Sequence, residues 1–249
     1  RTSEAWYIIL STSVVLPWST WAMIAMFLMS CIVSSLKKRA NLQKRAQNLL
    51  TLYHKILKQM KGTYIFLAEG YEPLEALAPM DVLRRAHIDC KFVSISDNLL
   101  PKSTHDATIQ ADLTWGQFLK EKDENGIEAL IFPGGLPGAD NLGGNTALAS
   151  ILRGHFSNGG LTCAICAAPG RVLARNLGTA LEGRKMTVYE GFGAELDAVG
   201  AINTAADVQV DGNLITAKGP GLAIDFGLAI MERLCDRRVY DVVKHAMML

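Results

Sequence analysis

The residue best placed to do chemistry is Cys166, in the stretch Leu161-Thr-Cys-Ala-Ile-Cys166-Ala-Ala-Pro-Gly170. A run of small and apolar residues ends on this cysteine, and Pro169 follows three positions later. Proline lacks an N–H and has a preset φ, so it suits the first turn of a helix. The pattern predicts a buried strand ending at Ile165, a sharp turn carrying Cys166, and a helix starting near Pro169. A cysteine at such an elbow faces the unpaired amides of the new helix. Those amides favour the thiolate and are expected to lower its pKa from about 8.5 toward neutrality or below. A buried, inert cysteine is the competing reading. The small residues on both sides and the proline behind favour a nucleophile.

A thiolate that attacks a carbonyl needs donors for the oxygen that becomes negative, and backbone amides serve well. Gly135, in the Pro133-Gly134-Gly135 loop, can bring its amide close because no side chain intervenes. Ala167 offers the amide just after the nucleophile. Taken alone, Gly134-Gly135 reads equally well as a plain turn. Glu75, in Gly70-Tyr-Glu-Pro-Leu-Glu75, lies one turn into a helix whose inner face is otherwise apolar. Burial there would raise its pKa and leave a carboxyl able to donate a hydrogen bond and shuttle a proton. Glu72 reads as a helix N-terminal acid favoured by the dipole. Cys163 and Cys166 should face opposite sides of their strand, against a dithiol. His87, His155 and His245 fall at helix ends, where solvated roles are usual. His105 falls in a surface hairpin. The residue after Cys166 is Ala167, so the adjacent Cys-His dyad of a peptidase or glutaminase is absent.

These residues need elements to hold them. Thr63 to Ala68, Asp89 to Ile95, Glu128 to Phe132, Leu161 to Ile165 and Lys185 to Tyr189 read as strands. Val208 to Ala217 reads as a hairpin turning at Asp211-Gly212-Asn213, and Lys102 to Gln110 as another. Helices are expected over Pro73 to Ala86, with Leu74, Leu77, Val82 and Leu83 inward, and over Thr146 to Phe156, Gly221 to Leu234 and Val239 to Met248. Alternating strands and helices imply an α/β fold with a mostly parallel sheet covered on both faces. Ligands in such sheets bind beyond the strand C-termini. The Ala68-Glu69-Gly70 loop, the Pro133-Gly134-Gly135 loop and Cys166 all fall there.

Composition divides the chain near Met60. From Ala5 to Ala68 there is no Asp or Glu, and all 22 glycines lie from Gly62 onward. From Gly62 there are 16 Lys and Arg against 23 Asp and Glu, a net of −7. An acidic domain without a basic patch argues against direct nucleic-acid binding. Its four cysteines form no disulfide framework, which favours a reducing compartment. No second CxxC accompanies Cys163 and Cys166, so no zinc or other metal site is expected.

Residues 1–61 carry 32 consecutive uncharged residues, Ala5 to Leu36, and then Lys37-Lys38-Arg39. That length suffices to cross a membrane, and the basic cluster would keep the later domain cytosolic. Leu42, Ala46, Leu49, Leu50, Tyr53, Ile56, Leu57 and Met60 recur at helical spacing among basic residues, as in an amphipathic or targeting helix. A signal anchor, a targeting segment and a gene-model artefact all stay open. For the last, the chain begins with Arg1, and Met60 stands where a start would fall.

Five stretches then carry a resemblance. They are Phe66-Leu-Ala-Glu-Gly-Tyr-Glu-Pro-Leu-Glu-Ala-Leu77, Pro79-Met-Asp-Val-Leu-Arg-Arg-Ala86, Phe132-Pro-Gly-Gly-Leu-Pro-Gly-Ala-Asp-Asn-Leu142, Ala164-Ile-Cys-Ala-Ala-Pro169 and Thr216-Ala-Lys-Gly-Pro-Gly221. In this order they resemble the ThiJ/PfpI superfamily, in the branch of the Parkinson-disease protein, over residues 62–249. The resemblance implies a flavodoxin-like (class I glutamine amidotransferase-like) sandwich that forms a homodimer. It makes Cys166 the oxidisable nucleophile, Glu75 its protonated partner, and Gly135 and Ala167 the oxyanion donors, with Gly134 in support. It implies a cofactor-free, glutathione-independent glyoxalase or a deglycase of proteins and nucleotides. Redox sensing and chaperone roles are the alternative. Two departures stand out. Tyr189 occupies a position where some members carry a site histidine. Lys218 replaces an arginine of the Gly-Pro-Gly motif and loses a planar fork for anions. A cytoplasmic address is expected, with a membrane-anchored or organellar one if the leader is genuine.

Overall fold

The computed structural model describes residues 61–249. The anchor and targeting readings of the leader therefore lie outside the described residues. Six short apolar runs form one sheet: β1 (Gly62–Leu67), β2 (Cys90–Ser94), β3 (Ile127–Phe132), β4 (Leu161–Ile165), β7 (Val208–Asp211) and β8 (Leu214–Ala217). Their order is β2-β1-β3-β4-β8-β7. The first five strands run parallel, and β7 is an antiparallel edge joined to β8 through Asp211-Gly212-Asn213. Two further strands, β5 (Lys185–Met186) and β6 (Ile202–Asn203), form a small sheet of their own. The helices are α1 (Pro73–Arg85), α2 (Trp115–Asn125), α3 (Gly138–Gly144), α4 (Thr146–Ser157), α5 (Arg175–Leu177), α6 (Gly193–Asp197), α7 (Ala223–Leu234) and α8 (Arg237–Ala246).

Because side chains alternate across a strand, each strand feeds two cores. Tyr64, Phe66, Leu130, Phe132 and Ala164 point into one, against Phe118, Leu152 and Leu173. Ile65, Leu67, Ile131, Cys163, Ile165 and Ile215 point into the other, against Val82 and Phe226. The fold is thus α/β, with a mostly parallel sheet covered on both faces. No helix among the described residues is long and apolar enough to cross a membrane.

Several elements differ from their sequence pattern. Periodicity put Leu74 and Leu77 inward, yet they are 57% and 39% exposed, while Glu75, Ala76, Pro79, Val82 and Leu83 are buried. Both sets recur at helical spacing, and only the partner chooses between them. That partner is α7, which approaches closely at Gly227. A Cβ on Gly227 would lie 2.9 Å from Pro79 Cα and 3.2 Å from Val82 Cβ. The expected hairpin over Lys102 to Gln110 is a single bridge, Lys102 with Thr108. The strand expected over Lys185 to Tyr189 stops at Met186, because Thr187 bonds Thr216 Oγ1 and Tyr189 bonds Cys166 instead. The polar helix α2 escaped the apolar pattern, although Thr114 and Gln117 cap it reciprocally.

The α1–α7 contact yields a test. Gly227→Val should overpack it and cost about 1–3 kcal/mol in urea unfolding. Wild-type stability in this variant would show that the two helices have room to part.

Candidate active site

The loop after β1 sets the first side of the site. Glu72 is the N-cap of α1, its carboxylate accepting the Glu75 N–H at 2.8 Å, and Pro73 occupies the first turn. The Glu72 N–H donates to the Gly134 carbonyl at 3.0 Å. This pairing fastens the start of α1 to the loop after β3. Glu75 then turns inward, fully buried, and its Oε2 accepts the Gly134 N–H at 2.7 Å. Its Oε1 is buried with no hydrogen-bond partner among the described residues. Gly134 is hemmed in, since a Cβ there would sit 2.7 Å from Glu75 Oε2 and 2.8 Å from Cys166 Cβ. Gly135 has φ +84°, and a Cβ on it would run into the Glu72 backbone. Glycine is thus required at both positions of a loop that reads, in isolation, as a plain turn.

The second side is the elbow after β4. Cys166 has φ +64°, uncommon for a residue with a side chain. Its main chain is held from both directions. The Cys166 N–H donates to the Ala217 carbonyl at 2.9 Å, and its carbonyl accepts the Tyr189 N–H at 3.0 Å. The Ala167 and Gly135 amides favour the charged form of its sulfur. The helix expected near Pro169 opens as a π-helix, Pro169–Ala174, before tightening into α5. Such wide turns leave carbonyls to satisfy. Asn176 does so, its Nδ2 donating to Val172 O at 2.9 Å and to Gly143 O at 3.0 Å. It thereby ties the turn behind Cys166 to α3, which follows Gly135. No local pattern marks Asn176 in the sequence; its role exists only once α3 and the π-helix touch.

Electrostatics revise one expectation. The helix-start amides were expected to draw the Cys166 thiol toward neutrality, but burial pushes it up to about 12. The neighbouring Glu75 adds to the rise, and the Ala167 and Gly135 amides only partly offset it. Burial also lifts Glu75, to about 7, against the hydrogen bonds from Cys166 and Gly134. Burial thus disfavours charge on both groups, and the carboxyl ionises well before the thiol.

The structure gathers Cys166, Glu75, Gly134, Gly135 and Ala167 in one place. Lys218 follows Ala217 in the chain, and its ammonium faces Asp207 at 3.7 Å. The Tyr189 ring, 46% exposed, packs over Gly219. Cys163 is wholly buried in the core opposite. His155 is not solvated as its helix-end position suggested: the fold draws its ring inward to pair with Leu161 O at 3.0 Å. Among the described residues, no cluster of three or more His, Cys, Asp or Glu is placed to hold a metal ion.

Known proteins are similar in sequence and fold. The profile of the DJ-1/PfpI family matches residues 61–233. Protein DJ-1 homolog A of Arabidopsis thaliana is 33% identical over 189 residues, covering 76% of this chain and 47% of that relative. This chain thus spans about half the length of that plant protein. The crystal structure of Drosophila melanogaster DJ-1beta superposes with a TM-score of 0.69 at 32% identity, covering 76% of this chain and 98% of that one. The glutathione-independent glyoxalase DJ-1 of Schizosaccharomyces pombe is 26% identical over 186 residues, covering 72% of this chain and 94% of that relative.

Glu75 makes stability depend on pH. Its folded pKa, about 7, exceeds the ordinary glutamate value of about 4.5. The folded state therefore holds an extra proton between these values, and stability falls as pH rises through that window. Glu75→Gln should escape this loss, gaining roughly 3 kcal/mol on wild type between pH 4.5 and 7.5. Unfolding both proteins in urea across that range checks it. Parallel curves would mean that Glu75 titrates as an ordinary surface acid.

Proposed function

This chain belongs to the DJ-1/PfpI family, and from that membership we propose a cofactor-independent cysteine enzyme acting on small α-oxoaldehydes such as methylglyoxal. The observation that carries the reading is a cysteine held at φ +64°, with a buried carboxyl alongside and Gly134 hemmed in between the two. The printed name of the fission-yeast relative supports the substrate class.

The steps use groups already in place. Glu75 takes the Cys166 proton as the sulfur adds to the aldehyde carbon, and passes it to the aldehyde oxygen, giving a hemithioacetal. While that oxygen is negative, the Gly135 and Ala167 amides stabilise it, as preorganised donors do for a charge that develops only in the transition state. Glu75, again a carboxylate, removes the proton from the carbon bearing sulfur and returns it to the adjacent carbon. The hemithioacetal becomes a lactate thioester, and water cleaves its C–S bond, releasing lactate and the thiol. Water is the net reactant, so no redox cofactor enters. If the aldehyde is already bound to an amine or thiol as a carbinol adduct, the C–S bond to Cys166 forms as the bond to that amine or thiol breaks. The leaving group takes the Cys166 proton through Glu75, and the later steps complete deglycation of a protein or nucleotide.

A redox-sensing or chaperone role is the second reading, favoured by the exposure of Cys166 relative to the wholly buried Cys163. A sulfinate at Cys166 would meet the same amides and a protonated Glu75. Cytosolic operation as a homodimer completes the proposal, and the apolar face left open at Leu74 and Leu77 supports the dimer.

Lactate production separates the readings. Cys166→Ala should abolish it, and Glu75→Gln should lower kcat by about 100-fold, within the range typical of general acid–base catalysis. Wild-type protein that makes no lactate yet oxidises stoichiometrically at Cys166 under mild peroxide would favour the sensor. Methylglyoxal consumption at the wild-type rate by Cys166→Ala would rule out the enzyme.

A further inference from the structure

A second concavity lies at the same end of the sheet, with none of the Cys166 site residues in its wall. It has a volume of about 510 Å³ and opens beyond the ends of β1 and β2, against α3. It lies beyond the carboxyl ends of the edge pair β2-β1, one strand over from the β1/β3 reversal of the sheet. In open α/β sheets, ligands bind in crevices outside the carboxyl ends of the strands. Two strand spacings, about 10 Å, separate the ends of β1 and β4.

The wall chemistry narrows what fits. The Ser94 and Ser96 hydroxyls bond each other at 3.1 Å, and Ser96 Oγ also accepts the Asn98 N–H at 3.2 Å. Ser94 is almost fully buried, which leaves Ser96 at the rim. Asn141 and Asn145 each have half of their carboxamide committed. Asn141 Nδ2 donates to Glu69 O at 3.0 Å, and Asn145 Oδ1 accepts the Leu148 N–H at 3.0 Å. Among the described residues the other atom of each carboxamide, an acceptor on Asn141 and a donor on Asn145, has no partner. Ile95 and Pro101 supply apolar surface beside them. No Lys or Arg lines the crevice, and the carboxylates of Glu69 and Asp140 do. Phosphates and carboxylates would meet repulsion without a counter-charge. Hydroxyl and carboxamide groups beside an apolar patch match one ligand class, whose ring has C–H faces and a hydroxyl rim.

We infer that this crevice is a binding site for a neutral polyhydroxylated small molecule of the monosaccharide class. It stands apart from the proposed chemistry at Cys166 and would hold whether or not the aldehyde reading does. A lone monosaccharide has few atoms with which to gain affinity, so binding is expected in the roughly millimolar range.

Saturation-transfer NMR on the full chain, with D-ribose and ribose 5-phosphate as probes, tests it. Ribose should give transfer, and its phosphate should bind at least about tenfold more weakly. Gly144 lines the crevice, and a Cβ there would meet nothing within 4 Å. Gly144→Leu should therefore fill the space, weaken ribose at least about tenfold and leave Tm unchanged. Ser96→Lys, which adds a cation to the wall, should reverse the preference toward the phosphate. Silence toward ribose at tens of millimolar in wild type would overturn the site. So would equal binding of ribose and its phosphate, or undiminished ribose binding in Gly144→Leu. If Gly144→Leu fails to fold, an unchanged preference in Ser96→Lys decides against it.

Discussion

The burial of a carboxyl group beside a thiol is the constraint around which the rest is arranged. Taking a charge out of water is costly unless donors replace the lost solvent. Burial raises the pKa of both Glu75 and Cys166, and the Gly134 N–H is the donor placed on the carboxyl. The Gly135 and Ala167 amides favour the charged sulfur and only partly offset its burial. The second carboxyl oxygen is left without a partner among the described residues.

Holding Glu75, the glycine pair and Cys166 together requires three loops to keep their spacing. The parallel sheet does most of this, since β1, β3 and β4 are successive neighbours and end side by side. Loop-to-loop bonds do the rest. Glu72 N–H to Gly134 O joins the first two, Asn176 joins the π-helix behind Cys166 to α3, and Ala217 and Tyr189 hold the Cys166 peptide itself. Backbone strain at a φ of +64° persists only where the surroundings overdetermine it. Here the hydrogen bonds on either side of the residue provide that constraint.

Local signals carried much of this into the sequence. Leu161–Ile165 matches its strand end to end, because small and apolar residues run unbroken into a proline-led turn. The Asp211-Gly212-Asn213 turn was equally legible from its own residues. What depends on a distant partner was not. The buried face of α1 follows from α7, some 150 residues on, so Leu74 and Leu77 were assigned to the wrong side. The π-helix packs closely on Gly143, where a Cβ would collide with the Arg171 carbonyl. The thiol pKa went astray for the same reason. Helix amides are visible in a sequence, whereas the depth to which the fold sinks them is not. The Cys166, Glu75 and glycine-loop candidates were legible because each broke a local rule: a cysteine at an elbow, an acid on an apolar face, paired glycines after a strand.

The crowding at Gly134 bears on how this pocket can be redesigned. Two atoms of the reactive pair already occupy the space any larger residue would need there, so that wall is closed to variation. Tyr189 is different: its backbone is committed to Cys166, but its half-exposed ring rests over Gly219 and owes the nucleophile nothing further. Anyone reshaping the cleft for a bulkier guest should therefore begin at the tyrosine rim and leave the glycine floor untouched.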